Sequence, residues 1–313
     1  MVKVLEAVPN FSEGRDLAKV RALVDVVERA GVEILDWSAD PDHHRSVVTY
    51  IGDPRQVEAA SVDAASLALE RIDLRSHRGI HPRVGALDVL PFVPLHRLEM
   101  SDAVASARRV GVQIGRMGVP VFYYGMASRP PGRGLAELRR GGFEGLAGGF
   151  PTDRLPDEPP GAPAPHPTAG VTCVGARPVL LAWNVFLLGV DLAGAREIAG
   201  KIRERGGGFR GLRALGLHLP RQDRVQISMN LEDPAATSPL DVLETIEREA
   251  VARGGRIAET QVIGMLPDTL VHPPSVNRLV LPDPGPARVL SHRVAQHVRA
   301  RTRGRTEISE SAE

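Results

Sequence analysis

Cysteine is nearly missing. The 313 residues contain one, Cys173, which excludes an internal disulfide framework and a multi-cysteine zinc site. Lysine is almost as scarce: of 39 basic residues, only Lys3, Lys19 and Lys201 are lysine. A compositional bias accounts for that, and so does a use of arginine forks to hold carboxylates. There is no excess of charge of either sign. The net charge is +1 and the pI about 8.1, so no bulk field points to nucleic acid or an anionic membrane. No apolar run approaches the roughly 20 residues of a membrane span. Met1-Val2-Lys3-Val4-Leu5-Glu6 lacks the apolar core of a signal peptide, so a cytoplasmic location is expected. What is present is ordinary for a soluble globule: 42% hydrophobic and 25% charged residues, in a length that suits about two domains.

Taken in order, Val2 to Val8 reads as a strand and Pro9-Asn10-Phe11-Ser12-Glu13-Gly14 as a polar loop. Leu17, Val20, Leu23, Val24 and Val27 form a helical stripe that Gly31 ends. Val32 to Asp36 and Ser46 to Gly52 are strands around the charged loop Asp40-Pro41-Asp42-His43-His44-Arg45. Asp53-Pro54 opens a helix to Ile72, and Val84 to Pro94 is the fourth strand. The order is βαββαβ, followed by a helix, Ser101 to Met117, and a strand, Val119 to Tyr124. Phe150 to Gly170 is rich in proline and glycine and reads as a linker or functional loop. Beyond it, strands at Val179 to Leu188, Leu212 to His218, Arg224 to Asn230 and Arg256 to Gly264, with helices at Asp191 to Arg205 and Ser238 to Arg253, repeat βαββαβ. The expectation is an α/β (α+β) protein of two ferredoxin-like subdomains, residues 1–179 and 180–300, each with two helices on one face of a four-stranded sheet. The open faces are expected to meet across a cleft, and a last helix, Ala287 to Arg299, to end in a frayed tail, 301–313.

The centre of the chain is His77-Arg78-Gly79-Ile80-His81-Pro82-Arg83, which opens into the apolar run from Val84 to Pro94. Gly79 and Pro82 argue against a helix, so His77 and His81 do not share a helical face as metal ligands would. Pro82 biases His81 towards extended backbone. A histidine at the mouth of a strand, between arginines, suits proton transfer near an anion. The plainer use is a loop histidine that caps a backbone carbonyl.

Several stretches resemble the glutamate formimidoyltransferase (formiminotransferase) family, in its stand-alone form. They are Val8-Pro9-Asn10-Phe11-Ser12-Glu13-Gly14, Asp40-Pro41-Asp42-His43-His44-Arg45-Ser46-Val47 and Arg78-Gly79-Ile80-His81-Pro82-Arg83-Val84-Gly85-Ala86-Leu87-Asp88-Val89. Gly170 to Asn184 resembles the start of the family's second subdomain, and Gln226 to Leu231 and Gln261 to Gly264 its later strands. The likeness runs in order over residues 2–270. It implies transfer of a formimino group from N-formiminoglutamate to tetrahydrofolate, in histidine degradation and one-carbon metabolism. It places the catalytic histidine on His81. By position it puts the folate-binding segment on Gly161-Ala162-Pro163-Ala164-Pro165-His166-Pro167-Thr168-Ala169-Gly170. Family members often carry an aromatic where this chain has Ala169, so a stacking contact must come from elsewhere. A separate cyclodeaminase is expected to consume the product.

That chemistry sets requirements. An attacking ring amine must lose a proton and a departing glutamate nitrogen must gain one, and one histidine suits both directions. The donor's amidinium wants a carboxylate, which Asp40 or Asp42 supplies unless both only shape the turn around Pro41. Its carboxylates want arginine forks, for which Arg45 and Arg83 are candidates, with Asn10 as a further donor. Tetrahydrofolate is the expected co-substrate, with small-molecule partners only and no metal, nucleic acid or membrane. Formylglutamate or formiminoglycine as donor, and the oligomeric state, a homodimer included, stay open. Two other classes compete. A metal-dependent amidine or amide hydrolase would use His43, His44, His77 and His81, without a His-Glu-x-x-His pattern. A tandem RNA-recognition protein would need aromatics on its central strands, where only Tyr50 stands. His96, His218, His272, His292 and His297 read as structural or exposed.

Overall fold

The structure, a computed structural model, describes residues 1–268 and 286–310. His272 and residues 311–313 therefore lie outside the described residues. The chain divides into two compact units, residues 1–177 with 294–313, and residues 178–293.

The first unit begins with β1 (Leu5–Ala7) and β2 (Asn10–Phe11), two halves of one strand parted at Val8-Pro9, where proline has no N–H to give. α1 (Leu17–Arg29), β3 (Glu33–Asp40), β4 (Arg45–Gly52), α2 (Pro54–Arg71) and β5 (Leu87–Pro94) follow. The Asp16 carboxylate accepts from the amides of Ala18 and Lys19, and Asp53 with Pro54 opens α2 as its sequence suggests. β3, β4, β1/β2 and β5 pair antiparallel in that order, the ferredoxin-like arrangement. Leu5, Ala7, Phe11, Val48, Tyr50, Leu90 and Phe92 are buried together with Leu23, Val24 and Val27 of α1 and Val57, Ala60 and Ala64 of α2. Leu17 falls outside this core, 58% exposed at the first position of α1, although the helical stripe included it.

The sheet is wider than four strands. α3 (Met100–Arg116) packs on the same face, through Ala103, Ala107, Val110 and Ile114. β6 (Val121–Gly125) and, after a long excursion, β7 (Thr172–Ala176) then extend the sheet, β7 lying parallel between β5 and β6. The reading of Gly170 to Asn184 as the start of the second subdomain holds for residues 178–184, which open the second unit, and is thereby corrected for residues 170–177. So is the reading of Phe150 to Gly170 as a linker: the segment closes a loop inside the first unit. β7 is buried on both faces, as a parallel strand requires. Val174 and Ala176 join the helix-side core, while Cys173 packs opposite with Val84, Val89, Phe122 and Leu138. Leu138 ends α4 (Leu135–Leu138), a short helix within the excursion.

The second unit matches its expected pattern element by element: β8 (Leu181–Leu188), α5 (Leu192–Ile202), β9 (Leu212–Leu219), β10 (Arg224–Leu231), α6 (Pro239–Val251) and β11 (Arg256–Ile263). The sheet order is β11-β8-β10-β9, wholly antiparallel. Trp183, Val185, Ile227 and Met229 pack with Ile198 and Ile246 from the two helices.

The last helix, α7 (Leu290–Glu310), outruns the expected end at Arg299 and replaces the frayed tail at least to Glu310. From Val294 it belongs to the first unit, where the His297 ring nitrogen Nδ1 lies 2.7 Å from Glu33 Oε2 and Arg301 donates to the Gly31 carbonyl at 2.8 Å. Among the described residues no helix is long and apolar enough to cross a membrane.

Candidate active site

Three loops of the first unit converge at one end of its sheet: residues 12–16, residues 41–44 and residues 72–86. The second is the β3–β4 turn. Asp40 Oδ1 accepts from the amides of Asp42 and His43, both at 2.8 Å, which turns the chain after Pro41 as its sequence suggests. Small residues let the loops touch. A Cβ on Gly79 would collide with the His43 carbonyl, and one on Gly14 with the backbone of Asp40 and Arg45. Arg15 staples the three together, donating to the carbonyls of Pro41 at 2.9 Å and Arg78 at 2.6 Å. The Ile80 amide donates to the Asp42 carbonyl at 3.1 Å.

This framework sorts the four histidines into two pairs. His44 and His77 stack, ring centroids 4.1 Å apart and nearly parallel. His44 Nε2 lies 3.1 Å from Glu13 Oε1, and His77 Nε2 donates to the His44 carbonyl at 2.7 Å. His77 Nδ1 accepts from Arg83 at 2.9 Å. Both His77 nitrogens are thus committed, and burial, with the nearby His44, Arg83 and Arg15, pushes its pKa down to about 4. His43 and His81 make the other pair, ring centroids 5.9 Å apart and tilted. His81 Nδ1 lies 2.8 Å from the Pro82 carbonyl. A carbonyl only accepts, so Nδ1 carries the hydrogen and Nε2 keeps the lone pair. Burial, then the positive charges of Arg45 and Arg139, hold the His81 imidazolium well below its ordinary pKa, against the opposing pull of Asp88. At neutral pH His81 is a base with one open nitrogen.

Asp88 organises the floor beneath it. The side chain is fully buried. Its Oδ1 accepts from the amides of Val84 and Gly85, and its Oδ2 pairs with Arg45 at 2.7 Å and Arg139 at 3.2 Å. Burial alone would raise the Asp88 carboxyl; the two guanidiniums and the Val84 amide outweigh it and leave the pKa below the usual range. Arg45 also donates to Asn10 Oδ1 at 3.0 and 3.2 Å, and Asn10 Nδ2 donates to the Val8 carbonyl at 2.7 Å. Asn10 therefore holds Arg45 in place. Arg83 is engaged too, forming a bidentate pair with Glu144 at 2.7 Å on both oxygens. This pairing, ahead of the small cost of burial, lowers the Glu144 pKa to about 2.

The structure brings Arg45 and His81 to one place and sets Asp40 and Asp42 on the adjoining turn. The expected folate segment is pinned to the strand entry below His81. The Leu74 amide donates to the Thr168 carbonyl, and the Ala86 amide to the Ala169 carbonyl. Ala169 lies in the core. His166 Nδ1 accepts from the amides of Thr168 and Ala169, so this histidine shapes the turn. Sequence reasoning missed Asp88, Arg139, Glu144 and the placement of His43 against His81. Asp88 stood in the quoted motif, and an acidic residue inside an apolar run was the available signal. Among the described residues no group of three or more histidine, cysteine or acidic side chains is arranged to hold a metal.

Comparison with known proteins bears on what this place is for. Residues 4–177 match the formiminotransferase domain, N-terminal subdomain, and residues 182–273 match the formiminotransferase domain. The chain belongs to the formiminotransferase family. A glutamate formimidoyltransferase of Streptococcus pyogenes serotype M1 is 40% identical over 271 residues, which cover 85% of this chain and 90% of that protein. One from Thermoplasma acidophilum is 36% identical, covering 85% of this chain and 89% of the relative. The formimidoyltransferase-cyclodeaminase of Sus scrofa is also 36% identical, but the match spans 51% of that longer protein. The formiminotransferase N-terminal match ends at Arg177, where the first unit's continuous N-terminal segment ends, so it takes in β6, α4 and β7 as well as the ferredoxin-like core.

Proposed function

We propose that this protein transfers the formimino group of N-formimino-L-glutamate to tetrahydrofolate, releasing L-glutamate and 5-formiminotetrahydrofolate. The observation that carries the reading is the joint one: similarity to glutamate formimidoyltransferases over 85% of the chain, and a neutral histidine with one open nitrogen in the likeness's central motif.

In this reading His81 Nε2 takes the proton from the ring nitrogen of tetrahydrofolate as that nitrogen attacks the amidinium carbon. The tetrahedral diamine then collapses when the glutamate nitrogen is protonated. Arg45 and Arg139, crossed on Asp88, offer their remaining N–H groups to the donor's carboxylates, with Asn10 fixing Arg45. Asp40 and Asp42 face the cationic amidine. Arg83 takes a carboxylate only by exchange with Glu144, so its contribution is smaller than that of Arg45. Residues 161–170 hold the folate, through backbone and proline surface rather than an aromatic at Ala169. None of these steps calls for a metal. The reading puts the enzyme in the cytoplasm, in histidine degradation, with a cyclodeaminase using its product.

The test is a transfer assay with tetrahydrofolate and three donors: formiminoglutamate, formylglutamate and formiminoglycine. Formiminoglutamate is expected to give the highest kcat/KM. Preference for either of the others moves the protein to that donor, and no transfer from any of them defeats the proposal.

A further inference from the structure

We infer that Arg154 is a positioning residue: it clamps the turn after α4 so that Arg139 stands over Asp88 with its fork open to a carboxylate of the donor. The inference rests on the reading of Arg139 as a donor ligand. It adds a residue whose own side-chain hydrogen bonds all go to backbone carbonyls.

Arg139 is unlike the other two guanidiniums of the site. Arg45 gives Nε and both terminal nitrogens to Asn10 and Asp88, and Arg83 is spent on His77 and Glu144. The Arg139 side chain is 13% exposed, and among the described residues its polar contact is the ion pair with Asp88 at 3.2 Å. Its Nε is buried and has no hydrogen-bond partner. A buried donor left unpaired costs free energy, and a fork of five N–H groups matches a carboxylate. Two guanidiniums against one buried carboxylate also leave a positive charge for an anion to neutralise.

Little in the local sequence would hold Arg139 there. It follows a helix of four residues, which is too short to be stable by itself, and the chain turns away at once through Gly141 and Gly142, both left-handed. Arg154 supplies the constraint from the other side of the excursion. It is 5% exposed, and its Nη1 donates to the carbonyls of Leu138 at 2.8 Å and Arg140 at 2.6 Å, with that of Glu137 at 3.4 Å. These are carbonyls that a helix end leaves without partners, and they flank Arg139 on both sides. One buried guanidinium thus fixes the backbone from which another projects. Beyond the turn the Phe143 amide donates to the Arg83 carbonyl at 2.9 Å, which keys the clamped segment to the loop that carries His81.

The place of Arg139 is readable at His81 without any substrate. After burial and the charge of Arg45, the charge of Arg139 holds the His81 imidazolium down; His43 acts the same way and Asp88 opposes them.

The experiment is a double-mutant cycle on Arg154 and Arg139 with two readouts. One is the titration of His81 by NMR in the ligand-free protein, assigned against His81→Asn. The other is KM for formiminoglutamate at pH 8, where His81 is neutral. Arg139→Met should raise KM about 10²-fold with kcat changed far less, since the carboxylate is present in ground and transition states alike. It should also move the His81 titration to higher pH. Arg154→Met should shift both readouts in the same directions, KM by about 10-fold, and add little in the Arg139→Met background. A direct effect of the Arg154 charge on His81, or a general loosening of the segment, would add in full, and full additivity overturns the inference. Parent values of both readouts in Arg154→Met overturn it too. If Arg154→Met does not fold, Arg154→Gln, which keeps one donor for the carbonyls, is read by the same measures, and parent values there are equally fatal. If Arg139→Met shifts the His81 titration but not KM, Arg139 is no donor ligand and that part of the proposed function fails, while a matching titration shift in Arg154→Met still supports the clamp.

Discussion

The two units share one strand order and differ in what hangs from it. In the first, residues 72–86 separate α2 from β5; in the second, residues 252–255 suffice between α6 and β11. The β3–β4 turn of the first unit holds Asp40, Asp42 and His43, whereas the corresponding β9–β10 turn is Pro220-Arg221-Gln222-Asp223. Displaced ionisation follows the same division. The first unit has Glu6, Glu13, His77, His81 and Asp88 in or near its interior, while among the described residues of the second the displaced groups, Glu249 and Arg253, are surface pairings. The scaffold is common, and the candidate site belongs to loops long enough to fold back on one another.

The sharpest way to break this contrast is a pair of histidine variants. His81→Ala should lower turnover by roughly 10²–10⁴ with folate affinity nearly intact, and His218→Ala, on β9 of the second unit, should leave turnover unchanged. Steady-state kinetics with parallel folate titrations decide it; equal effects from both would dissolve the distinction. Next in size is Asp88→Ala, which strands Arg45 and Arg139 without their buried partner. It should cost about 3–5 kcal/mol in urea unfolding.

A smaller effect tests the buried charge of the first unit through pH. Glu6 lies on β1 between the core residues Leu5 and Ala7 and so points to the other face of the sheet. Burial pushes its pKa up to about 7, against the pull of Arg177. A carboxyl whose folded pKa is raised lends stability below the unfolded pKa, about 4.3, and loses it as pH rises through the folded value. Glu6→Gln should therefore raise Tm more at pH 8 than at pH 5, and a uniform change across that range would contradict the assignment. The smallest effect is expected in the second unit: Lys201→Ala, which removes an exposed pairing with Glu249, should change stability by about 1 kcal/mol or less and leave activity alone.

Much of this was legible in the sequence where local rules govern. Both βαββαβ repeats announce themselves through alternation, through Asp53-Pro54 and through glycines such as Gly31 that end helices. His81 was legible because proline and glycine around it deny a helix, and Arg45 because it stands beside the acidic turn. The failures share a cause, long-range pairing. β7 follows a proline-rich stretch that looks like a boundary, and nothing local says that Thr172–Ala176 lies between strands formed much earlier. Arg139 follows Leu-Ala-Glu-Leu as any surface arginine would; only its meeting with Asp88 gives it meaning. Arg83 looked available for substrate because its partner, Glu144, sits in the same excursion.

The insertion of β7 between β5 and β6 has a consequence for how the protein is made. β6 takes its ladder partners from β7 and none from β5, so it has no neighbouring strand to join when it leaves the ribosome. It must wait while residues 126–171 are synthesised, and only then does the sheet edge close. The first unit waits again for residues beyond Val294, which arrive after the whole of the second unit. The second unit, local in its contacts and continuous in the chain, has no such delay. The part of the molecule that carries His77 and His81 is the first to begin and the last to finish.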